Sequence, residues 1–157
     1  MRRYLSTALV LAAVAGGLTA LATPAAAAYP TCTRYGVVVT TDNRYVYYEF
    51  APDGGTQCEL KPGNSNGMVG RFQRTLNQCY GPSGLVRPLF PALTVNNSYD
   101  AATTGAVRAV QRHLGISVDG WAGPDTRSRM AHHTGEIPPS CGFPIRPIQI
   151  GWVAGTG

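Results

Sequence analysis

The chain has few charged residues and a single lysine, and this composition argues against functions that need a strongly basic surface. Only 13% of its 157 residues are charged, and Lys61 is the single lysine. The arginines are scattered, so there is no basic run of the kind that tracks a nucleic-acid backbone. Beyond residue 28, no apolar segment approaches the roughly 20 residues that a membrane-spanning helix needs. We therefore expect neither nucleic acid nor a membrane as partner of the mature protein.

Motifs of catalysis and of metal binding are missing as well. The chain has no Gly-x-Ser-x-Gly elbow, and Glu49, Glu59 and Glu136 are scattered rather than paired for glycoside cleavage. His132 and His133 are adjacent, whereas metalloproteases place two histidines four residues apart on one helical face. We interpret both as solvated residues near a helix C-terminus, where a protonated imidazole is favourable. The sequence therefore predicts no enzyme, no cofactor and no metal.

Residues 1–28 have the features of a secretory signal peptide. Arg2 and Arg3 precede an apolar stretch, and Ala26, Ala27 and Ala28, directly before Tyr29, offer a small-residue cleavage site. An uncleaved membrane anchor is the alternative, which Pro24 and the small residues disfavour. Cleavage removes two arginines, so the formal charge falls from +5 to +3. A mild positive charge fits weak attraction to an anionic cell wall, and it equally fits solubility alone.

The mature chain keeps an even number of cysteines, Cys32, Cys58, Cys79 and Cys141. In an exported protein this predicts disulfides, with three possible pairings. We favour Cys32–Cys58, which closes a local amino-terminal hairpin. We also favour Cys79–Cys141, which ties the end of the first helix to the segment after the third. In the loop-entropy model each bridge contributes roughly 3–4 kcal/mol.

The most informative pattern is a loop-to-helix unit that occurs twice. The segment Asp119–Thr126 reads D-G-x-x-G-P-x-T, and Asn96–Thr103 fills the same slots earlier in the chain. The glycines permit a tight turn, and Pro124 suits the first position of a helix. Asp100 predicts an N-cap for the helix that follows the upstream loop. The threonine that ends each loop is expected to close it locally through its hydroxyl group.

This order of helices and loops resembles the small three-helix peptidoglycan-binding domain of secreted bacterial cell-wall proteins. The resemblance covers about residues 64–134. Val69–Asn77 resembles the first helix of that family, Tyr99–Gln111 the first loop and second helix, and Leu114–Thr126 the second loop.

Three departures from the family pattern lie at and before the first loop. Asn96 and Asn97 stand where the family prefers Asp-Gly, and Asp100 stands where it prefers glycine. Residues 79–93 look like an insertion, and loops beyond roughly 12–15 residues are usually functional or disordered. The insertion therefore either forms part of a ligand groove or covers it.

Hydrophobic periodicity predicts the fold class as mainly α, with a small N-terminal β-hairpin and disulfide staples. The expected helices run about 67–78, 101–114 and 124–132, and the second buries Thr103, Val107, Val110 and Leu114. The hairpin pairs 37–41 with 45–50, and its tyrosines either fill the core or stack on sugar rings. We divide the chain into a signal peptide (1–28), a hairpin and linker segment (29–63), the helical domain (64–134) and a Pro-rich tail (135–157). Part of the tail is expected to pack across the body.

The tandem loop-to-helix units and the export signal, without a catalytic motif, predict a secreted, non-catalytic protein that binds the cell wall. The resemblance implies that glycan or muramyl peptide lies in a shallow groove between the helices. The ligand residues expected from it are Tyr99 and Trp121 near the loops, with Arg108, Gln111 and Arg112 on the exposed face of the second helix. Trp121 has a second interpretation, as a core anchor that packs its loop down.

Two other functions remain open at this point. The hairpin, the insertion and the disulfides also suit a protein–protein module, such as an inhibitor or an accessory subunit of an exported enzyme. A weaker hypothesis is a small wall hydrolase with an active site that the sequence does not reveal.

Overall fold

A computed structural model describes residues 28–84, 88–135, 140–146, 148 and 150–156, the last segment by its backbone alone. The predicted signal peptide lies almost entirely outside these residues. The helices are α1 (Gly67–Tyr80), α2 (Ala101–Leu114) and α3 (Pro124–Arg129). The strands are β1 (Arg34–Val39), β2 (Tyr45–Phe50), β3 (His132–His133), β4 (Cys141–Gly142) and β5 (Ile150–Thr156). None of the described helices is long and apolar enough to cross a membrane.

The three helices, the amino-terminal hairpin and the two disulfides are confirmed, but a mainly α fold is not. The hairpin strands belong to a three-stranded sheet with the order β2-β1-β5, and β3 pairs with β4 in a second sheet. Strand β5 comes from the predicted tail and pairs antiparallel with β1. The tail prolines forbid a helix, but they leave its last residues free to extend.

Helix boundaries follow their caps. The Asn66 side chain accepts hydrogen bonds from the backbone N–H groups of Met68 and Val69 and so begins α1. The predicted N-cap of α2 is confirmed, because Asp100 Oδ1 accepts from Thr103 N at 2.8 Å. That bond, together with the hydroxyl of the same threonine and an amide of Asn96, lowers the pKa of Asp100. Pro124 occupies the first turn of α3, as predicted.

The expected third helix is too long. It ends at Arg129, where Met130 turns to an extended conformation, and His132 then starts β3. The interpretation of the two histidines as solvated is also wrong, because His132 is fully buried and His133 is half-buried. His132 is buried because it packs against the hairpin, where the centre of its ring lies 4.7 Å from the centre of the Tyr48 ring. Local sequence carries no signal for such a contact.

The main core lies between α1, α2 and the loops that follow them. Helix α1 buries the predicted stripe of Val69, Phe72 and Leu76. Helix α2 buries Thr103, Val107 and Val110 as predicted, but Leu114 is only half-buried and Gln111 takes a place in the interior. A second cluster of Val38, Val46, Tyr48 and Phe50 fills the hairpin side.

Both favoured disulfide pairings are confirmed. Cys32 bonds Cys58, and Cys79 at the end of α1 bonds Cys141 in β4. The first bridge closes a separation of 26 residues and the second one of 62. The first bridge ties the start of the hairpin segment to the stretch before α1, and the second ties α1 to the segment after α3.

A buried arginine joins α3 to the hairpin side. Arg127 is fully buried, and its guanidinium donates to the carbonyl oxygens of Glu49 at 2.7 Å, Thr56 at 2.7 Å and Cys58 at 2.8 Å. Its Nη1 also lies 3.9 Å from Glu49 Oε2. Burial of the Glu49 carboxyl nevertheless dominates over the nearby guanidinium and raises its pKa to about 7.

The buried groups at this junction predict an acid-sensitive fold. Burial lowers the pKa of His132 from 6.5 to about 3, so between these values only the unfolded chain binds its proton. The free energy of unfolding therefore rises with pH across that window, by up to roughly 1.4 kcal/mol per pH unit. Glu49 acts in the opposite sense between 4.5 and about 7, because there the folded chain binds more protons.

Urea denaturation at pH 4.5 and at pH 6.5 tests this, since both buried groups contribute between these values. We expect Glu49→Gln to steepen the rise in unfolding free energy and His132→Gln to flatten it. Equal slopes in the wild type and both variants would contradict the assignment.

Candidate ligand site

The second loop is held by one buried amide. Gln111 is 1% exposed, and its Nε2 donates to Asp119 Oδ1 at 2.7 Å, Trp121 O at 3.0 Å and Thr126 Oγ1 at 3.1 Å. Its Oε1 accepts from Gly120 N at 2.8 Å. The Gln111 amide therefore bonds both acceptors and a donor of the loop. These bonds hold the loop backbone in place and so fix the direction of the Trp121 side chain.

The first loop has the same arrangement. Gln73 of α1 donates from Nε2 to Asn96 Oδ1 at 2.9 Å, Ser98 O at 2.9 Å and Thr103 Oγ1 at 3.0 Å. Its Oε1 accepts from the backbone N–H groups of Asn96 and Asn97. Asn96 and Asn97 thus bond the glutamine amide of the first unit as Asp119 and Gly120 bond that of the second. The upstream departures from the family pattern leave the geometry of the loop intact.

The sequence separations of these hydrogen bonds give the length of the insertion in the first unit. Gln73 reaches partners 23, 25 and 30 residues away, whereas Gln111 reaches the equivalent partners at 8, 10 and 15. The first unit is therefore 15 residues longer at every bond. The end of the insertion is held against α1, because the Asn77 side chain bonds both the carbonyl oxygen and the N–H group of Leu93. Its Leu89 and Phe90 pack on the main core.

In each unit the contact between helix and loop contains one glycine. The helix carries it in the first unit and the loop carries it in the second. In the first unit the helix carries Gly70, and a Cβ there would collide with the Asn97 side chain. In the second unit the loop carries Gly120, and a Cβ there would lie 2.9 Å from Arg108 Nε. Asn97 and Gly120 share left-handed backbone angles, with φ of 61° and 81°, which asparagine tolerates better than most residues.

Trp121 stands at the edge of a recess of about 310 Å³. The indole is 43% exposed, so the interpretation of Trp121 as a core anchor is wrong. Lys61 Nζ lies 4.8 Å from the centre of its ring and 2.5 Å from Glu59 Oε1. Backbone bonds between Leu60 and Ala122 hold this strand-like segment against the loop. Besides Trp121, the recess is lined by Tyr29, Glu59, Ser117, Asp119, Gly123, Pro124, Asp125 and Thr126.

Of the five expected ligand residues, two prove to be buried supports of the loop. Tyr99 donates its hydroxyl to Gly120 O at 2.8 Å, and burial raises its pKa, so the group stays a donor. The expectation that Gln111 lies on the exposed face of α2 is wrong. Gln111 follows the buried Val107 by four residues and therefore shares its face. A polar side chain was assigned outward because its buried partners were not visible in the sequence.

The two arginines of α2 are exposed, as expected, but they lie beside the recess rather than in its lining. Arg108 packs along Gly120, and Arg112 follows one turn later on the same face. Trp121 is thus the one member of the expected set that lines the recess; Arg108, Gln111 and Arg112 lie on α2, and Tyr99 lies in the first loop.

Several residues of the recess were missed by the sequence reasoning. Glu59, together with Lys61 beside the Trp121 ring, belongs to a stretch interpreted as linker, and Tyr29 is the first residue after the expected cleavage site. One signal was present: Glu59 and Lys61 flank Leu60, an apolar residue in an otherwise polar segment. That alternation is typical of a short extended segment with its charges on one side.

The histidine pair forms no metal site with the residues described. His132 Nε2 hydrogen-bonds Arg127 O at 2.7 Å, and His133 Nδ1 hydrogen-bonds Thr75 Oγ1 at 2.7 Å. Glu136 lies outside the described residues. Elsewhere in the described segments no three His, Cys, Asp or Glu side chains come close enough to share an ion.

The fold and the two loops define a disulfide-stapled module of tandem helix–loop units. Residues 65–130 match the family model described as "Putative peptidoglycan binding domain". The resemblance predicted for about 64–134 is thereby confirmed. No curated protein and no solved structure matches the chain. The hairpin, the segment that carries Glu59 and Lys61, and the residues after Met130 lie outside the matched range.

Proposed function

We propose that the protein is a secreted, non-catalytic component of the bacterial cell wall that binds peptidoglycan at the Trp121 recess. The match of residues 65–130 supports the ligand class. The observation that carries the location is the exposed indole of Trp121 on a loop that Gln111 and Tyr99 hold rigidly. Disulfides and the family match both fit an extracellular, wall-associated location.

The recess offers the chemistry that a sugar ring needs. An exposed indole presents a flat apolar surface to the C–H face of a sugar, and rigid aromatic side chains lose little entropy on binding. The carboxylates of Asp119 and Glu59 are hydrogen-bond acceptors for sugar hydroxyl groups. Lys61 Nζ, already 2.5 Å from Glu59, leaves that end of the recess nearly neutral. A neutral or weakly charged glycan therefore suits it better than a strongly anionic ligand.

Each of the other expected ligand residues has a role in this proposal. Tyr99 and Gln111 position the loop without touching the ligand. Arg108 and Arg112 lie on the neighbouring exposed face and attract the anionic groups of the wall, which makes retention weaken with salt. The functional unit extends beyond 64–134, because Glu59 and Lys61 come from the segment 29–63. Residues 1–28 act as its export signal.

Trp121→Ala tests the recess directly. We expect retention on purified peptidoglycan to fall about tenfold or more, since a well-packed aromatic contact contributes roughly 1–3 kcal/mol. The measurement is co-sedimentation of the mature, oxidised protein at low salt, with released muropeptides assayed in parallel. Tyr45→Ala is the matched control, because this aromatic residue is 58% exposed on β2 and lies outside the recess.

The outcomes separate the hypotheses. Equal loss in both variants would place the ligand elsewhere, and release of muropeptides would show that the protein is a hydrolase. Wild-type protein that neither binds nor releases would overturn wall binding. Co-purification with a secreted hydrolase would then favour the protein–protein module.

A further inference from the structure

A larger recess lies on the other side of α3, between that helix and residues 143–146. Its volume is about 580 Å³. One wall is Ser128 and Arg129 of α3, and the other is Phe143 and Arg146. The second wall lies outside the range that matches the peptidoglycan-binding family. Half of the lining of this recess therefore comes from residues 143–146, beyond the matched range.

The second wall is fixed by backbone hydrogen bonds. Thr41 N donates to Phe143 O at 3.3 Å, and Ile145 N donates to Val39 O at 3.0 Å. Pro144 forms a β-bridge with Thr40. Phe143 is 49% exposed even though its own backbone is paired. Its exposure is consequently a property of the sheet edge and not of a loose loop.

Arg146 gives the recess a net positive charge, because Arg129 is already paired with Asp125, a carboxylate that lines the neighbouring recess. Arg129 Nε bonds Asp125 Oδ1 at 2.6 Å, which leaves its terminal nitrogens as donors. Arg146 is exposed and has no hydrogen bond or ion pair within the described part of the chain. None of the described lining residues carries a carboxylate. Two guanidinium groups beside an exposed phenyl ring suit a ligand that has a carboxylate next to an apolar group.

A neighbouring recess of about 430 Å³ shares Ser128 and Arg146 with the first. Tyr48 lines it, and the Tyr48 hydroxyl is buried without a hydrogen-bond partner among the described residues. Burial raises the pKa of this hydroxyl to about 12, so it remains a donor at neutral pH. A buried donor without a partner is costly, and an acceptor on a ligand would satisfy it.

We propose that the recess between α3 and residues 143–146 binds the carboxylate end of a short peptide. The carboxylate lies between Arg129 and Arg146, and an apolar side chain packs on Phe143. The next peptide carbonyl points towards the recess of Tyr48. This site goes beyond the proposed wall binding, because it does not use Trp121 and has its own ligand chemistry.

The test is an NMR titration of the mature, oxidised protein with acetyl-alanyl-alanine and with the same peptide as its C-terminal amide. The free acid should shift the backbone resonances of residues 128–129 and 143–146. The amide should bind about tenfold more weakly, because it lacks the charge-assisted hydrogen bonds. Arg146→Gln should weaken the free acid by a similar factor. Arg74→Gln, an exposed arginine of α1, should leave it unchanged.

Three results would overturn the proposal: equal affinity for acid and amide, equal behaviour of Arg146→Gln and Arg74→Gln, or shifts confined to residues 119–123. Trp121→Ala should still bind the free peptide. Loss of wall retention with intact peptide binding would count against the proposed function alone. Intact wall retention without peptide binding would count against this site alone.

Discussion

Gln111→Leu is expected to lower the free energy of unfolding by roughly 3 kcal/mol, because it leaves buried loop groups without their hydrogen-bond partner. The wild-type amide joins Asp119, Gly120, Trp121 and Thr126. Leucine fills much of the volume but provides neither donor nor acceptor. The urea midpoint measures the loss, provided that the slope of the transition stays unchanged. Retention on peptidoglycan should fall as well, because Trp121 no longer has a fixed direction.

The pseudo-symmetry of the chain supplies the control. Gln73→Leu removes the same set of bonds from the first loop and should destabilise the protein to a similar extent. The residue equivalent to Trp121 in that loop is Ser98, so wall retention below the unfolding transition should persist. A Gln111→Leu protein within about 0.5 kcal/mol of wild type would contradict the role of the amide. Equal loss of retention in both folded variants would contradict the assignment of the ligand to the second loop.

Arg127→Met is expected to have the largest effect on stability, a loss of about 3–5 kcal/mol. Three carbonyl oxygens on the hairpin side lose their donor, and Glu49 loses the only cation within 4 Å of its carboxylate among the described ion pairs. Methionine fits the volume, so the loss measures missing hydrogen bonds more than a cavity. Equilibrium urea unfolding under oxidising conditions is the measurement.

Arg129→Met is the comparison, two residues further along α3. Arg129 is exposed and forms its ion pair with Asp125 in solvent, so its replacement should change stability by less than about 1 kcal/mol. Should the two variants unfold at the same urea concentration, the buried arginine would not join the two parts of the fold. The double variant Arg127→Met, Glu49→Gln should recover part of the loss, because it also removes the carboxylate that loses its cation when Arg127 is replaced.

Much of the helical unit could be predicted because its signals are local. Asp100 as a cap, Pro124 at the start of α3 and the stripe of α1 each depend on residues within one or two turns. The disulfide pairing followed from the order of the elements. The outward placement of Gln111 and the solvated histidines were wrong for the opposite reason. Their burial depends on partners that only the folded chain brings near.

The candidate site shows the same division. Trp121 belongs to the loop motif itself, but the motif does not decide whether the side chain is exposed or anchors the core. Glu59 reaches the recess, and Lys61 the Trp121 ring, through a β-bridge between Leu60 and Ala122, a pairing across 62 positions of sequence that no periodicity indicates. The three-stranded sheet was missed likewise, because β5 joins β1 from the far end of the chain.

The crossed placement of the two glycines limits how the halves can be interchanged. Each helix–loop contact has room for a single side chain, contributed by the loop in one half and by the helix in the other. Moving the 119–126 loop alone into the first half would set glycine against Gly70 and leave a gap. Moving the 96–103 loop into the second half would set Asn97 against Arg108. A chimaera of the two halves therefore has to exchange each helix together with its own loop.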